Sequence, residues 1–132
     1  METLSFAMEF HLDASVDEVM ELLTDSEKIS EWGGGEALVE KKIGGQVEMF
    51  DGWVEGKVLK ISAVELAYTW KPSDWDENTR ASEVIYKLEA EQNGTKVTLE
   101  HSGFPNKQEM ENHKTRWTAH FFGPIEVYLK KQ

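Results

Sequence analysis

Two dipeptides, Asp51-Gly52 and Asn93-Gly94, each stand between runs in which apolar and polar residues alternate. Such pairs tolerate the positive φ that the tight turn of a hairpin needs, so each predicts two antiparallel strands. Runs at 37–42, 46–50, 53–62, 65–71, 82–91 and 95–102 fit strands, with Gly44-Gly45 as a further turn. A first strand precedes them: Leu4, Phe6, Met8, Phe10 and Leu12 fall on one face by period two, opposite Ser5, Glu9 and His11. The polar loop 72–80 interrupts the series and carries Trp75, which reads as exposed.

The period changes in two places. Ser15 followed by Glu18 forms a capping box, and Val16, Val19, Met20 and Leu23 share one stripe, so a short helix is expected over about 15–24. Asp25 or Ser26 caps a second short helix over 26–32, which Gly33-Gly34-Gly35 terminates. From Asn106 onward the pattern is helical to the end, with a kink expected at Gly123-Pro124 because Pro124 has no N–H to give the His120 carbonyl. An antiparallel sheet with an aromatic buried face needs a cover, and only the C-terminal helix is long enough to supply it. The fold class is α+β, with about six or seven strands and two short helices after the first.

A chain of 132 residues without an internal linker or repeat is expected to form one domain, 1–132. With 30% charged residues and no apolar run of about 20, it has no candidate membrane span. The N-terminus alternates instead of presenting a basic region and an apolar run, so it does not read as a signal peptide, and a cytoplasmic location is expected. There is no cysteine, which excludes disulfides, thiolate nucleophiles and cysteine-type zinc sites. The 25 acidic against 14 basic residues give a net charge of −11, which disfavours nucleic acid and anionic membranes while leaving room for a basic protein partner.

Four stretches, 14-ASVDEVMELLTDSEKISEW-32, 44-GGQVEMFDGWVEGKVLKISAVELAYTW-70, 84-VIYKLEAEQNGTKVTLEHSGF-104 and the end of the last helix, together resemble the START-like, or SRPBCC helix-grip, superfamily. Within it the chain looks most like the homologues of the activator of the heat-shock chaperone ATPase. The resemblance implies a curved sheet gripping a long helix, with a space between them that in many relatives holds an apolar or amphipathic small molecule. It also implies a co-chaperone-like alternative, with a chaperone or other protein as partner. Polyketide cyclases of the same superfamily make a cyclase-type enzyme a further alternative.

Strand parity places Val47, Met49, Leu66, Tyr68, Trp70, Val84, Tyr86, Leu88, Val97, Leu99 and His101 toward the helix. At about 100° per residue, Met110, His113, Trp117, His120, Phe121, Pro124 and Tyr128 form the facing stripe. These aromatics read either as plain core or as the lining of a cavity; Trp and Tyr, whose polar atoms need partners, favour the second. The expected ligand-binding set is Met49, Tyr68, Trp70, Tyr86, Leu99, His101, His113, Trp117, His120, Phe121 and Pro124. His113 and His120 are about 10.5 Å apart along a helix, too far to share one ion at about 2.0–2.1 Å. No metal, no cofactor and no catalytic residue is therefore assigned, and the state expected in solution is monomer or homodimer.

Overall fold

The computed structural model describes residues 4–131. Among them, seven strands form a single curved antiparallel sheet. They are β1 (Ser5–Leu12), β2 (Leu38–Val39), β3 (Gln46–Met49), β4 (Val54–Ile61), β5 (Glu65–Pro72), β6 (Ser82–Glu91) and β7 (Gly94–Ser102), in the spatial order β1-β7-β6-β5-β4-β3-β2. Helices α1 (Val16–Thr24) and α2 (Ser26–Gly33) connect the two edge strands. The C-terminal helix consists of α3 (Lys107–Arg116), a π-helical segment (Trp117–Phe122) and α4 (Gly123–Lys130).

The helix starts are set by side chains that satisfy otherwise orphaned N–H groups. Ser15 Oγ accepts from the Glu18 N–H at 3.2 Å, and the Asp25 carboxylate accepts from the Lys28 N–H at 3.0 Å. Asn106 does the same for Glu109 at 2.9 Å. In the sheet, Tyr68 pairs with Val84, Tyr86 with Leu99, and Val84 with His101, so one continuous face carries the large side chains. Every residue of β3, β5, β6 and β7 expected to face the helix is buried, whereas Phe6, Met8 and Phe10 of β1 on the same face are half-buried.

Four local expectations need correction. The run 37–42 is a strand only at Leu38–Val39, because the chain then turns so that the Gly44 N–H reaches the Val58 carbonyl. The turn at Asp51-Gly52 begins one residue earlier: Met49 pairs with Val54, and Phe50, Asp51 and Gly52 take φ of 55°, 58° and 86°. The turn between β6 and β7 is Gln92-Asn93, since Glu91 pairs with Gly94. Gly94 opens β7 at φ 150°, where a Cβ would lie 2.1 Å from the Leu12 carbonyl oxygen. Trp75 is buried, its indole N–H donating to the Glu109 carboxylate at 2.6 Å.

Just before Gly123-Pro124, where a kink is expected, the helix carries the π segment. The Gly123 N–H reaches back five residues to the Thr118 carbonyl, a wide turn that ends where Pro124 has no N–H to offer. The extra residue advances the buried stripe by one position. His113 is buried before the segment, Trp117, Phe121 and Phe122 within it, and Ile125 after it. A uniform α-helical period misses Phe122 and Ile125 for this reason. A Cβ on Gly123 would sit 2.6 Å from the Thr118 oxygen. Gly123→Ala is expected to cost about 1–3 kcal/mol, measured by denaturant unfolding, because it forces the wide turn to shift.

Candidate functional site

A cavity of about 350 Å³ lies where the Phe50–Trp53 turn, the end of β5 and the C-terminal helix meet. Its walls are largely aromatic, with Phe50, Trp53, Trp70, Trp117 and Phe121 contributing rings. Trp53 and Trp70 meet edge to face at a centroid distance of 6.3 Å, and Trp70 and Trp117 are 5.0 Å apart. The turn that brings Phe50 and Trp53 here is backbone-strained, since Phe50 holds φ 55°, a region that bulky side chains rarely occupy. Asp51 anchors it: its carboxylate accepts from the Glu36 N–H at 2.7 Å, and its own N–H donates to the Glu36 carbonyl at 3.0 Å.

Behind the cavity runs a chain of hydrogen bonds through two buried histidines. The Trp117 indole N–H donates to His101 Nδ1 at 3.0 Å, which leaves Nε2 as the protonated nitrogen of the neutral ring. That N–H donates to Ser82 Oγ at 2.8 Å, and Ser82 in turn donates to the Trp70 carbonyl at 2.7 Å. On the other branch the Trp70 indole N–H donates to His113 Nε2 at 3.2 Å, while His113 Nδ1 donates to the Glu109 carbonyl at 2.9 Å. Each histidine is thus held as the tautomer that accepts from a tryptophan.

The electrostatics agree with this geometry. Burial pushes the His101 imidazole well below the ordinary histidine range, and His113, with a ring centroid 5.4 Å away, adds to the effect. Burial also lowers His113, opposed by its hydrogen bond to the Glu109 backbone and by the Glu109 carboxylate. Deeper still, the Tyr68 and Tyr86 hydroxyls are hydrogen-bonded to each other, and burial raises both phenols above their usual range.

Of the side chains singled out by sequence, Trp70, His113, Trp117, His120, Phe121 and Pro124 converge on the cavity wall. Met49, Tyr68, Tyr86, Leu99 and His101 lie in the core beneath it. His101 still reaches the wall indirectly, through Trp117. Gly33, Phe50, Trp53 and Arg116 also line the cavity and were not anticipated. Strand parity says nothing about a turn, which hides Phe50 and Trp53, and a charged residue beside the stripe is ordinarily assigned to solvent. Among the described residues, no group of three or more His, Asp and Glu side chains is placed to hold a metal ion. Nor is any helix long and apolar enough to cross a membrane.

A sheet that curves around a helix carrying an aromatic stripe is shared by many proteins, and sequence comparison narrows the choice. Residues 13–130 match the family model described as Activator of Hsp90 ATPase homolog 1-like protein. The chain belongs to this family. Over 119 residues it is 25% identical to mouse activator of 90 kDa heat shock protein ATPase homolog 2, covering 89% of this chain and 35% of that protein. The chain thus spans about a third of the length of that relative. Among solved structures of the Hsp90-ATPase-activator type, an Hsp90 activator from Plasmodium falciparum superposes with a TM-score of 0.86 at 28% identity, covering 96% of each chain. The solution structure of an Aha1 dimer from Colwellia psychrerythraea shares the fold, with a TM-score of 0.76 at 18% identity over 92% of each chain.

Proposed function

We propose that this domain binds a small apolar or amphipathic molecule in the cavity between the sheet and the C-terminal helix. The observation that carries the reading is the aromatic cavity itself. Its volume of about 350 Å³ falls within the range of small-molecule sites, roughly 300–1,000 Å³. Its wall is formed by a strained turn and a π segment, two features that cost stability and gather where a ligand is held. Trp70 and Trp117 have their indole N–H groups satisfied inside the protein, so they present apolar faces to an occupant.

Titration with fatty acids, flavonoids and isoprenoids, followed by tryptophan fluorescence, tests the reading. At least one class is expected to saturate, with a change in emission from the three wall tryptophans. A flat response to all three would sink it. Gly33→Leu fills the cavity from α2, because a Cβ there already stands 3.4 Å from the Phe50 ring. The variant is expected to raise the dissociation constant of the best ligand about tenfold or more while the far-ultraviolet spectrum stays unchanged.

Family membership favours a second reading, a co-chaperone-like module that stimulates a heat-shock chaperone ATPase. Its support is the 28% identity to the Plasmodium Hsp90 activator over nearly the full chain. Adding the domain to an Hsp90-type chaperone is then expected to raise ATP turnover. With a net charge of −11 on the domain, rising salt is expected to weaken that effect. Unchanged turnover at low salt counts against it.

A further inference from the structure

The proposed ligand site contains one charged side chain that packing alone does not explain. Arg116, the last residue of α3, lines the cavity and is half-buried. The chain carries 25 acidic residues, yet Arg116 makes no ion pair and no hydrogen bond among the described residues. Its guanidinium carbon lies over the Trp53 ring, 5.4 Å from the centroid, a cation–π contact that engages none of its N–H donors. His120, one helical turn further along the same wall, adds an imidazole that can donate or accept. An aromatic cavity with an unpaired guanidinium at its wall suits a molecule that is apolar over most of its length and anionic at one end.

We propose that Arg116 is the anchoring residue for a carboxylate on the cavity's ligand, so that the site selects apolar carboxylic acids over their neutral counterparts. Guanidinium and carboxylate match as two parallel N–H···O bonds, a geometry that a lysine cannot reproduce. The cation–π contact with Trp53 restrains the Arg116 side chain before a ligand arrives, so less side-chain freedom is lost on binding.

The inference rests on the ligand-binding reading, and the test separates the two. Naphthaleneacetate and naphthaleneacetamide share an apolar body and differ only in the charge of the end group. Isothermal titration calorimetry of both against wild type and Arg116→Gln gives a ratio of affinities for each protein. The preference for the carboxylate is expected to fall about tenfold or more in Arg116→Gln, consistent with the loss of a charge-assisted pair. Arg116→Lys is expected to recover part of the preference. An unchanged ratio in Arg116→Gln, in a variant whose unfolding midpoint shows it folded, overturns the anchor while the cavity reading stands. Binding of neither probe to wild type overturns the anchor, and together with a flat response to fatty acids, flavonoids and isoprenoids it overturns the cavity reading as well.

Discussion

Trp117→Ala is expected to lower the unfolding free energy by about 3–5 kcal/mol, the range for deleting a large buried aromatic. Trp117 is 2% exposed and packs against Trp70, Phe121, His101 and Tyr86, with the nearest ring, Phe121, at 4.7 Å. Its removal also takes away the N–H that His101 Nδ1 accepts, leaving a buried acceptor unpaired. Against a typical domain stability of about 5–15 kcal/mol, the variant stands near the edge of folding. Trp117→Phe separates the two contributions: it keeps most of the packing and is expected to cost about 1–3 kcal/mol. Denaturant midpoints followed by circular dichroism measure both. A cost below about 1 kcal/mol for Trp117→Ala would mean that this side chain is not the centre of the sheet–helix contact.

Acid is expected to destabilise the domain from about pH 6.5 downward. A histidine whose folded pKa lies below its unfolded value binds fewer protons when folded. Its contribution to stability is complete above the unfolded pKa of about 6.5 and is lost as pH falls below it. His101 meets this condition, lowered by burial and by His113, and His113 is lowered as well. From His101 alone the slope reaches about 1.4 kcal/mol per pH unit below pH 6.5. Protonating either ring would also set a donor against a tryptophan N–H. Unfolding free energies between pH 7.5 and roughly 5.5 should show this fall. His101→Phe should flatten it while lowering stability at neutral pH, because Trp117 and Ser82 lose their partner. An equal slope in His101→Phe would show that other groups set the acid response.

Much of this architecture was legible in the sequence because local chemistry and global packing agree there. Ser15, Asp25 and Asn106 cap helices, a role that follows from side-chain oxygens at those spacings. Period two along β5, β6 and β7 placed Tyr68, Trp70, Tyr86, Leu99 and His101 on the buried face. What escaped was set by neighbours distant in sequence or by irregular backbone. Trp75 looked exposed because its loop is polar, and partners distant in sequence, the Glu109 carboxylate and the Phe104 and His113 rings, account for its burial. Phe50 and Trp53 reach the cavity through a turn whose positive φ starts at Phe50, a residue type that gives no signal for it. Phe122 became a core residue through the π segment, whose one-residue shift no fixed period contains. Arg116 was passed over because a cation beside an apolar stripe ordinarily points to water.

The division within the expected site follows the same logic. Parity identifies a face but not the depth at which the sheet and helix stop touching. Tyr68, Tyr86 and Leu99 sit where the two layers are in contact, whereas Trp70, at the end of β5, sits where the helix and the Phe50–Trp53 turn diverge around open space.

The most direct measurement of the ligand-binding account is the electron density between Trp53, Trp70 and Trp117 in crystals of the protein purified from cells and soaked with naphthaleneacetate. The account expects continuous density for an elongated molecule along the Phe50 and Phe121 rings, with its carboxylate against Arg116. A cavity closed by collapsed side chains, or one filled only by water in crystals soaked to saturation, would contradict it.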